Sequence, residues 1–351
     1  MFVVQRELAL IFPKSLSFYK LFCNFAAMNR KNCILITMMM MALNCQAQKM
    51  SKYLFAYFTG NDPAEEQICY AVSDDGFNYT PLNGGRPVVA SDTIARAKGV
   101  RDPHILRCKD GWFRMVVTDM RCSLGWASNR GIVMMRSRDM IHWEHHTVHF
   151  PERFAGTNME HVTRVWAPQT IYDKAAGKYM VYFSLLTDDG TIPYDRVYWC
   201  YANDDFSDLA TTPQVLYDVK AASIDTDIVQ DKEGTYHLFF KTESGERRGI
   251  KKFTLKDLHR PDTWKLREGY CETTDKPVEG AGVFPLISGG WCLMYDCYTS
   301  GHYQFTRSED LNTFTFVQNT ETKGKFTPRH GTVIQITKKE YKRLLKAYKC
   351  F

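Results

Sequence analysis

Ser73-Asp74-Asp75, followed by Tyr79, is the first of five short acidic turns that each lead to an aromatic or apolar residue. The other four are Ser137-Arg138-Asp139 before Trp143, Asn203-Asp204-Asp205 before Leu209, Leu255-Lys256-Asp257 before Trp264, and Ser308-Glu309-Asp310 before Phe314. The last acidic residues of successive turns are 64, 66, 52 and 53 residues apart. A unit that recurs at this spacing predicts a repeat architecture.

Short runs of β-branched and aromatic residues, bounded by Gly, Asp, Asn and Pro, fill residues 53–337 and predict strands. Four such runs in each of five units predict an all-β, five-bladed β-propeller that forms a single domain. The first unit is short, and we expect residues 330–336 to supply its missing strand and close the ring. Residues 338–349 are predicted to form a short C-terminal helix. A β-sandwich is the alternative fold, which the unit length disfavours.

The charge balance excludes a nucleic-acid partner. The formal net charge is +6, but residues 1–47 hold five Lys or Arg and one Glu, and the rest of the chain has 40 basic and 38 acidic residues. A nearly neutral domain lacks the basic surface that nucleic-acid binding requires.

The N-terminal region is typical of an exported protein. Residues 28–32 are basic, residues 33–43 are apolar but too short to span a bilayer, and Ala47 offers a small residue at a cleavage site. We therefore predict a signal peptide at 28–47 after an upstream extension, a mature domain at 48–351, and a periplasmic or secreted location. Lipidation at Cys45 would instead give an outer-surface lipoprotein, the one route to the membrane that the sequence suggests.

Three acidic motifs stand where propeller geometry brings residues together. The first strand of each blade is expected to lie nearest the central axis, so the starts of these strands converge on one end of an axial funnel. Asp102, Asp225 and Glu279 take that place in their units. Neighbouring carboxylates acquire different pKa values, as a paired general acid and base require. We therefore expect glycosidic bond hydrolysis, although each motif alone also fits a turn cap or a plain strand start.

Four motifs in this order resemble the glycoside hydrolase family 43 propellers over residues 53–337: Arg101-Asp102-Pro103, Trp166-Ala167-Pro168, Ile224-Asp225 and Glu279-Gly280. The resemblance implies an inverting hydrolase. By position, Asp102 is expected to be the general base, Glu279 the general acid, and Asp225 the residue that tunes the pKa of the acid. The family usually has Ile-Asp-Pro where this chain has Ile224-Asp225-Thr226-Asp227. Asp227, two residues along the strand and so expected on the same face, is the alternative tuning residue.

Further polar and aromatic residues are candidates for the same site. Arg101 and His104 flank the expected base and are predicted to bind substrate, as is Trp166, which equally fits a core position. The resemblance places His330 beside a water-coordinated calcium, although a buried imidazole bonded to the backbone is the simpler interpretation. Residues 241–243 offer another polar contact. No cofactor is expected to be required, and a structural calcium is the one metal implied.

The predicted function is a monomeric exo-glycosidase that removes terminal furanosides or xylosides during plant or microbial polysaccharide breakdown. An α-L-arabinofuranosidase is the first expectation, and the partner is an oligo- or polysaccharide. A β-galactofuranosidase, a β-xylosidase and a carbohydrate-binding propeller without turnover remain alternatives.

Overall fold

The computed structural model describes residues 49–245, 247–320 and 326–348. A compact unit begins at Met50. The predicted signal peptide, the upstream extension and Cys45 lie outside the described residues. Among the residues described, no helix is long and apolar enough to cross a membrane.

Within the described residues, twenty strands form five four-stranded antiparallel sheets, which are the blades of the propeller. The first ten strands are β1 (Met50–Tyr57), β2 (Cys69–Ser73), β3 (Tyr79–Pro81), β4 (Val100–Arg107), β5 (Phe113–Asp119), β6 (Gly131–Ser137), β7 (Glu144–His149), β8 (Val162–Asp173), β9 (Lys178–Thr187) and β10 (Arg196–Tyr201). The second ten are β11 (Gln214–Tyr217), β12 (Ser223–Gln230), β13 (Tyr236–Thr242), β14 (Ile250–Leu255), β15 (Lys265–Leu266), β16 (Glu279–Pro285), β17 (Trp291–Cys297), β18 (His302–Ser308), β19 (Thr315–Asn319) and β20 (Thr332–Thr337).

The last strand of the chain completes the first blade. Blade 1 has the order β20-β1-β2-β3, and blades 2 to 5 take β4–β7, β8–β11, β12–β15 and β16–β19 in sequence. Strands β4, β8, β12, β16 and β20 contact one another around the axis, and β20 lies beside both β4 and β16. The predicted five-bladed propeller and its closure by the C-terminal strand are therefore confirmed.

The acidic turns have a common hydrogen-bonding pattern that explains their recurrence. In the first, the Ser73 hydroxyl accepts the Gly76 amide at 2.9 Å, and Asp75 Oδ1 accepts the amides of Phe77 and Asn78 at 2.8 Å. The turns at 137–142 and 308–313 repeat the two Asp bonds, and in all three turns the Ser hydroxyl accepts the amide of the acidic residue two positions later. Short polar side chains that satisfy turn amides explain why Ser and Asp recur between the third and fourth strands.

Apolar side chains fill the spaces between neighbouring blades. Phe55, Tyr57, Tyr303 and Phe305 are buried together where blades 1 and 5 meet. Each aromatic side chain buried in this way contributes about 2–3 kcal/mol of transfer free energy. The described cysteines after residue 48 are free thiols, and most are buried.

In the part of the chain that the structure describes, the helices are few and short. Two single-turn α-helices connect strands, α1 (Ser91–Ile94) and α2 (Phe150–Arg153), and 3₁₀ turns occupy Asn83–Gly85, Cys122–Leu124, Trp126–Ser128, Asn158–His161 and Pro261–Thr263. The C-terminal helix α3 (Lys338–Ala347) is confirmed and begins with a capping box between Thr337 and Glu340. Glu340 also pairs with Arg107 at 2.7 Å, which ties the helix to blade 2.

Candidate active site

The axial strands of four blades share one backbone irregularity. Each has a β-bulge at its motif, and the residues at the bulges with positive φ are Asp102 (52°), Ala167 (48°), Asp225 (52°) and Gly280 (64°). A left-handed backbone costs about 1–3 kcal/mol at a residue with a side chain, so its recurrence at two aspartates indicates a functional constraint. Bulges re-aim side chains, and here they do so at one level of the axis.

The Asp102 side chain is only partly exposed and is held by Thr118 of its own blade and by His330. The Thr118 hydroxyl donates to Asp102 Oδ2 at 2.8 Å and accepts the Ala167 amide of blade 3 at 2.9 Å. Nδ1 of His330 lies 3.4 Å from Asp102 Oδ1. Burial alone would raise the pKa of Asp102, but His330, Arg101 and Thr118 hold it below the usual value. Asp102 is therefore ionised near neutral pH, as a general base must be.

Asp225 lies on the other side of the same imidazole. Its Oδ2 accepts the Gly280 amide at 2.9 Å, and its Oδ1 lies 3.6 Å from His330 Nδ1. Burial raises the pKa of Asp225 to about 6, His330 opposes the shift, and the Glu279 charge adds to it. The two aspartates therefore have pKa values that their surroundings push apart.

His330 is a buried cation at neutral pH. Burial lowers its pKa, but Asp225 and Asp102 outweigh burial and raise it to about 9. Gly280 lies directly against the ring, because a Cβ added there would stand 2.8 Å from His330 Cγ. The Glu279-Gly280 motif thus combines a carboxylate with the one residue type small enough to seat this imidazole, and its φ of 64° also favours glycine.

Glu279 is bound by two cations. Lys241 of β13 donates to Glu279 Oε2 at 3.0 Å, and Arg329 donates to Oε1 at 3.1 Å. Lys241 also pairs with Glu243 at 2.8 Å, while Arg329 pairs with the buried Asp296. The carboxylate is therefore oriented by groups from blade 4 and from the segment that precedes β20.

Asp227, the alternative tuning residue, lies in a different environment from Asp225. The bulge between Ile224 and Asp227 interrupts the strand alternation, so the same-face argument does not apply to this pair. Asp227 Oδ2 accepts the Val283 amide at 2.6 Å. Burial raises the pKa of Asp227 to about 7, and His330 opposes this shift. Glu279 contributes to the pKa shift of Asp225. The geometry favours Asp225.

The three predicted substrate-binding residues have different surroundings. Arg101 donates to Asn61 at 2.7 Å and lies 3.4 Å from the buried Glu66. His104 is buried, and its Nδ1 accepts the Thr170 amide of blade 3 at 3.3 Å. Burial and the charge of His330 lower the pKa of His104 to about 3, so it is a neutral link between blades.

Trp166, the third of these residues, is only partly buried and packs between a cation and a second ring. The guanidinium of Arg164 lies 5.2 Å from the Trp166 ring, and the Trp126 ring lies 6.0 Å away at 71°. Trp166 therefore belongs to an aromatic group near the carboxylates rather than to the blade core.

The described residues do not fit direct coordination of a metal. Among them, no three His, Cys, Asp or Glu side chains are grouped to hold an ion. His330 Nδ1 faces two carboxylates, which suits an imidazolium. A calcium held through water, which the family resemblance implies, stays a prediction.

Sequence reasoning missed Thr118, Asp296 and Arg329, and it suggested Lys241 only as an additional contact. Thr118, Lys241 and Asp296 are paired across their sheets with Arg101, Ile224 and Glu279, at the same second-strand position of three blades. Aligning the second strands of the repeats on the motif strands would have identified all three. Arg329 lies in an irregular segment, and no repeat signal marks it.

A family model shows which family the chain belongs to. A family model described as "Probable glycosyl hydrolase domain", of a kind related to family 43, matches residues 48–342. An α-L-arabinofuranosidase of Bifidobacterium longum subsp. longum is 28% identical over 196 residues, which are 50% of this chain. The chain spans only 18% of the length of that relative.

Two solved structures share the fold. A structure titled endo-1,4-β-xylanase from Bacteroides thetaiotaomicron has a TM-score of 0.53 at 12% identity, over 81% of this chain and 97% of that one. An α-L-arabinofuranosidase from Lactobacillus brevis has a TM-score of 0.52 at 13% identity, over 80% and 90%. Identities this low establish the architecture alone.

Proposed function

The chain belongs to a glycosyl hydrolase family related to family 43, and from that premise we propose that this glycoside hydrolase is an inverting exo-α-L-arabinofuranosidase. The observation that carries the proposal is the grouping of Asp102, Asp225 and Glu279 around His330 at one level of the axis. The name of the Bifidobacterium relative supports the choice of sugar.

The proposed mechanism is a single displacement. Asp102 takes a proton from water, and the water oxygen forms a bond to the anomeric carbon of the bound sugar. The bond from that carbon to the glycosidic oxygen breaks, and Glu279 donates its proton to the departing oxygen. Water is thus divided between the two products, and a proton passes back from Asp102 to Glu279 through solvent before the next turnover.

The remaining groups set the ionisation of Asp102 and the orientation of Glu279. His330 keeps the pKa of Asp102 low, so that the base is ionised. Asp225, held by the Gly280 amide, places a second carboxyl near Glu279. Lys241 and Arg329 orient Glu279 and stabilise the carboxylate that remains after proton donation.

The experiment is an activity panel with the purified protein and aryl α-L-arabinofuranoside, β-galactofuranoside and β-xyloside. The proposal expects the highest kcat/KM for the arabinofuranoside, and loss of that activity in Asp102→Asn and Glu279→Gln. Preference for another sugar would overturn the choice of substrate. Cleavage of none of the three would favour a carbohydrate-binding propeller.

A further inference from the structure

Six cationic and aromatic side chains beside the candidate site form a continuous series of contacts. The order is Arg329, Phe58, Arg101, Trp126, Trp166 and Arg164. The guanidinium of Arg101 lies 4.5 Å from the Phe58 ring and 5.5 Å from the Trp126 ring. Each neighbouring pair lies within the range of cation–π or edge-to-face contact. We call this set the aromatic arc.

The aromatic arc follows the reacting groups. Arg329, at one end, contacts Glu279 at 3.1 Å. Arg101 directly precedes Asp102, and Trp166 directly precedes Ala167, whose amide bonds to the Thr118 hydroxyl beside Asp102. Contacts and chain neighbours therefore connect the arc to Glu279 at one end and to Asp102 near its middle.

Exposure differs sharply along the arc. Phe58 is 1% exposed and Arg101 is 7% exposed, whereas Trp126 is 45% exposed. Leu124, on the same loop, is 66% exposed. Contiguous exposed apolar side chains, especially those rimmed by polar residues, are typical of interaction sites. Trp126 is thus the outermost ring of the arc, and part of its surface is open to a ligand.

The loop that carries Trp126 is fixed to the strand of the expected base. The buried Glu66 accepts the Cys122 amide at 2.8 Å through the same oxygen that lies 3.4 Å from Arg101. At the other end of the loop, the Ser128 hydroxyl donates to the Arg121 carbonyl at 2.9 Å. A ring held this way gives a preorganised surface, which lowers the entropic cost of binding.

We propose that Trp126 is the stacking platform for the first sugar residue on the leaving-group side, so that the natural substrate is an oligo- or polysaccharide bearing the released sugar. The proposal rests on the proposed function. The reacting sugar must occupy the space between Asp102 and Glu279, whose side chains are only partly exposed. Trp126 is more exposed than these groups, so it contacts only the part of the substrate that extends outward. In exo cleavage that part is the leaving group.

The test compares Trp126→Ala with Leu124→Ala, a matched loss of an exposed apolar side chain from the same loop. The readout is the ratio of kcat/KM for α-1,5-arabinotriose to kcat/KM for an aryl α-L-arabinofuranoside. Loss of a stacking contact of about 1.4 kcal/mol should lower this ratio about tenfold in Trp126→Ala. We expect Leu124→Ala to leave the ratio unchanged and Trp126→Phe to restore most of it. An unchanged ratio in Trp126→Ala would overturn the proposal.

A binding measurement separates failure of this inference from failure of the proposed function. Glu279→Gln, which is expected to bind without turnover, is titrated calorimetrically with arabinotriose and xylotriose, alone and combined with Trp126→Ala. About tenfold weaker binding of either trisaccharide in the double variant supports the platform, even if the preferred sugar is not arabinose. If a trisaccharide binds Glu279→Gln and the double variant with equal affinity, the role of Trp126 as a stacking platform is contradicted.

Discussion

Lys241 donates a 3.0 Å hydrogen bond to Glu279, and the two residues belong to different blades of the propeller. Lys241 is itself buried and reaches Glu243 at 2.8 Å on its other side. The orientation of the expected acid therefore depends on the packing of blade 4 against blade 5. Glu279 and Glu243 share one lysine, so they form a matched pair for testing which carboxylate performs the chemistry.

Glu279→Gln should reduce kcat by about 10²- to 10⁴-fold on aryl arabinofuranosides with poor leaving groups, because a glutamine cannot donate the proton. The loss should be much smaller with a dinitrophenyl leaving group, which departs without protonation. Steady-state kinetics across a leaving-group series measure this dependence. Glu243→Gln, the control, should stay within a few-fold of the parent protein. A uniform loss across the series would show that Glu279 is not the acid.

Replacing His330 should move the acidic limb of the pH profile. The base must be ionised, so activity falls as the pH drops through the pKa of Asp102, which His330 holds down. His330→Gln removes that charge, and the acidic limb of kcat/KM should shift upward by about 1–3 pH units. Profiles of both proteins, recorded with and without EDTA, provide the measurement and control for a bound metal. An unmoved limb would refute the pairing of His330 with Asp102.

His330 should also make the free energy of unfolding depend on pH. The pKa of His330 is raised from 6.5 to about 9, so its stabilising contribution is complete below pH 6.5 and is lost as the pH rises through 9. The contribution is on the order of 3 kcal/mol, from about 1.4 kcal/mol for each pKa unit. The free energy of unfolding of the parent protein should fall more steeply over this interval than that of His330→Gln. Parallel curves from denaturant titrations would contradict the assignment.

Asp225 and Asp227 can be separated by equivalent substitutions. Asp225→Asn removes the carboxyl beside His330 and Glu279 and should lower kcat by about 10²-fold or more. Asp227→Asn keeps an oxygen that can accept the Val283 amide and should change kcat by less than about tenfold. Kinetics and thermal melts of both variants provide the comparison. The reverse ranking would make Asp227 the tuning residue.

The repeat pattern was sufficient to predict the architecture. The turns at Asp75, Asp139 and Asp310 are local structures in which side chains satisfy nearby amides, so their signature is visible in a short stretch of sequence. The sequence also predicted that the strand after His330 closes the propeller, because the first unit lacked one strand. The helix predicted for 338–349 ends at Ala347, with Tyr348 as its C-cap, and residue 349 lies outside the described residues. Helix ends are weakly encoded in sequence.

The site could be predicted only in part. Asp102, Asp225 and Glu279 lie in recognisable motifs, but positive φ at an aspartate reflects tertiary constraint that strand alternation does not reveal. The partners Arg329 and Asp296 come together across more than 30 residues of sequence. The charge on His330 likewise depends on two carboxylates from other blades. These features arise from blade packing and therefore required the structure.

The stereochemistry of the first product tests the central claim most directly. Proton NMR of the purified protein with an aryl α-L-arabinofuranoside, recorded before the sugar mutarotates, distinguishes the two anomers. A single displacement with Asp102 as base and Glu279 as acid, whose carboxyl groups then stand about 6.5–9.5 Å apart, predicts β-arabinose as the first product. Initial release of α-arabinose would contradict the mechanism, because it requires a covalent intermediate and a second displacement.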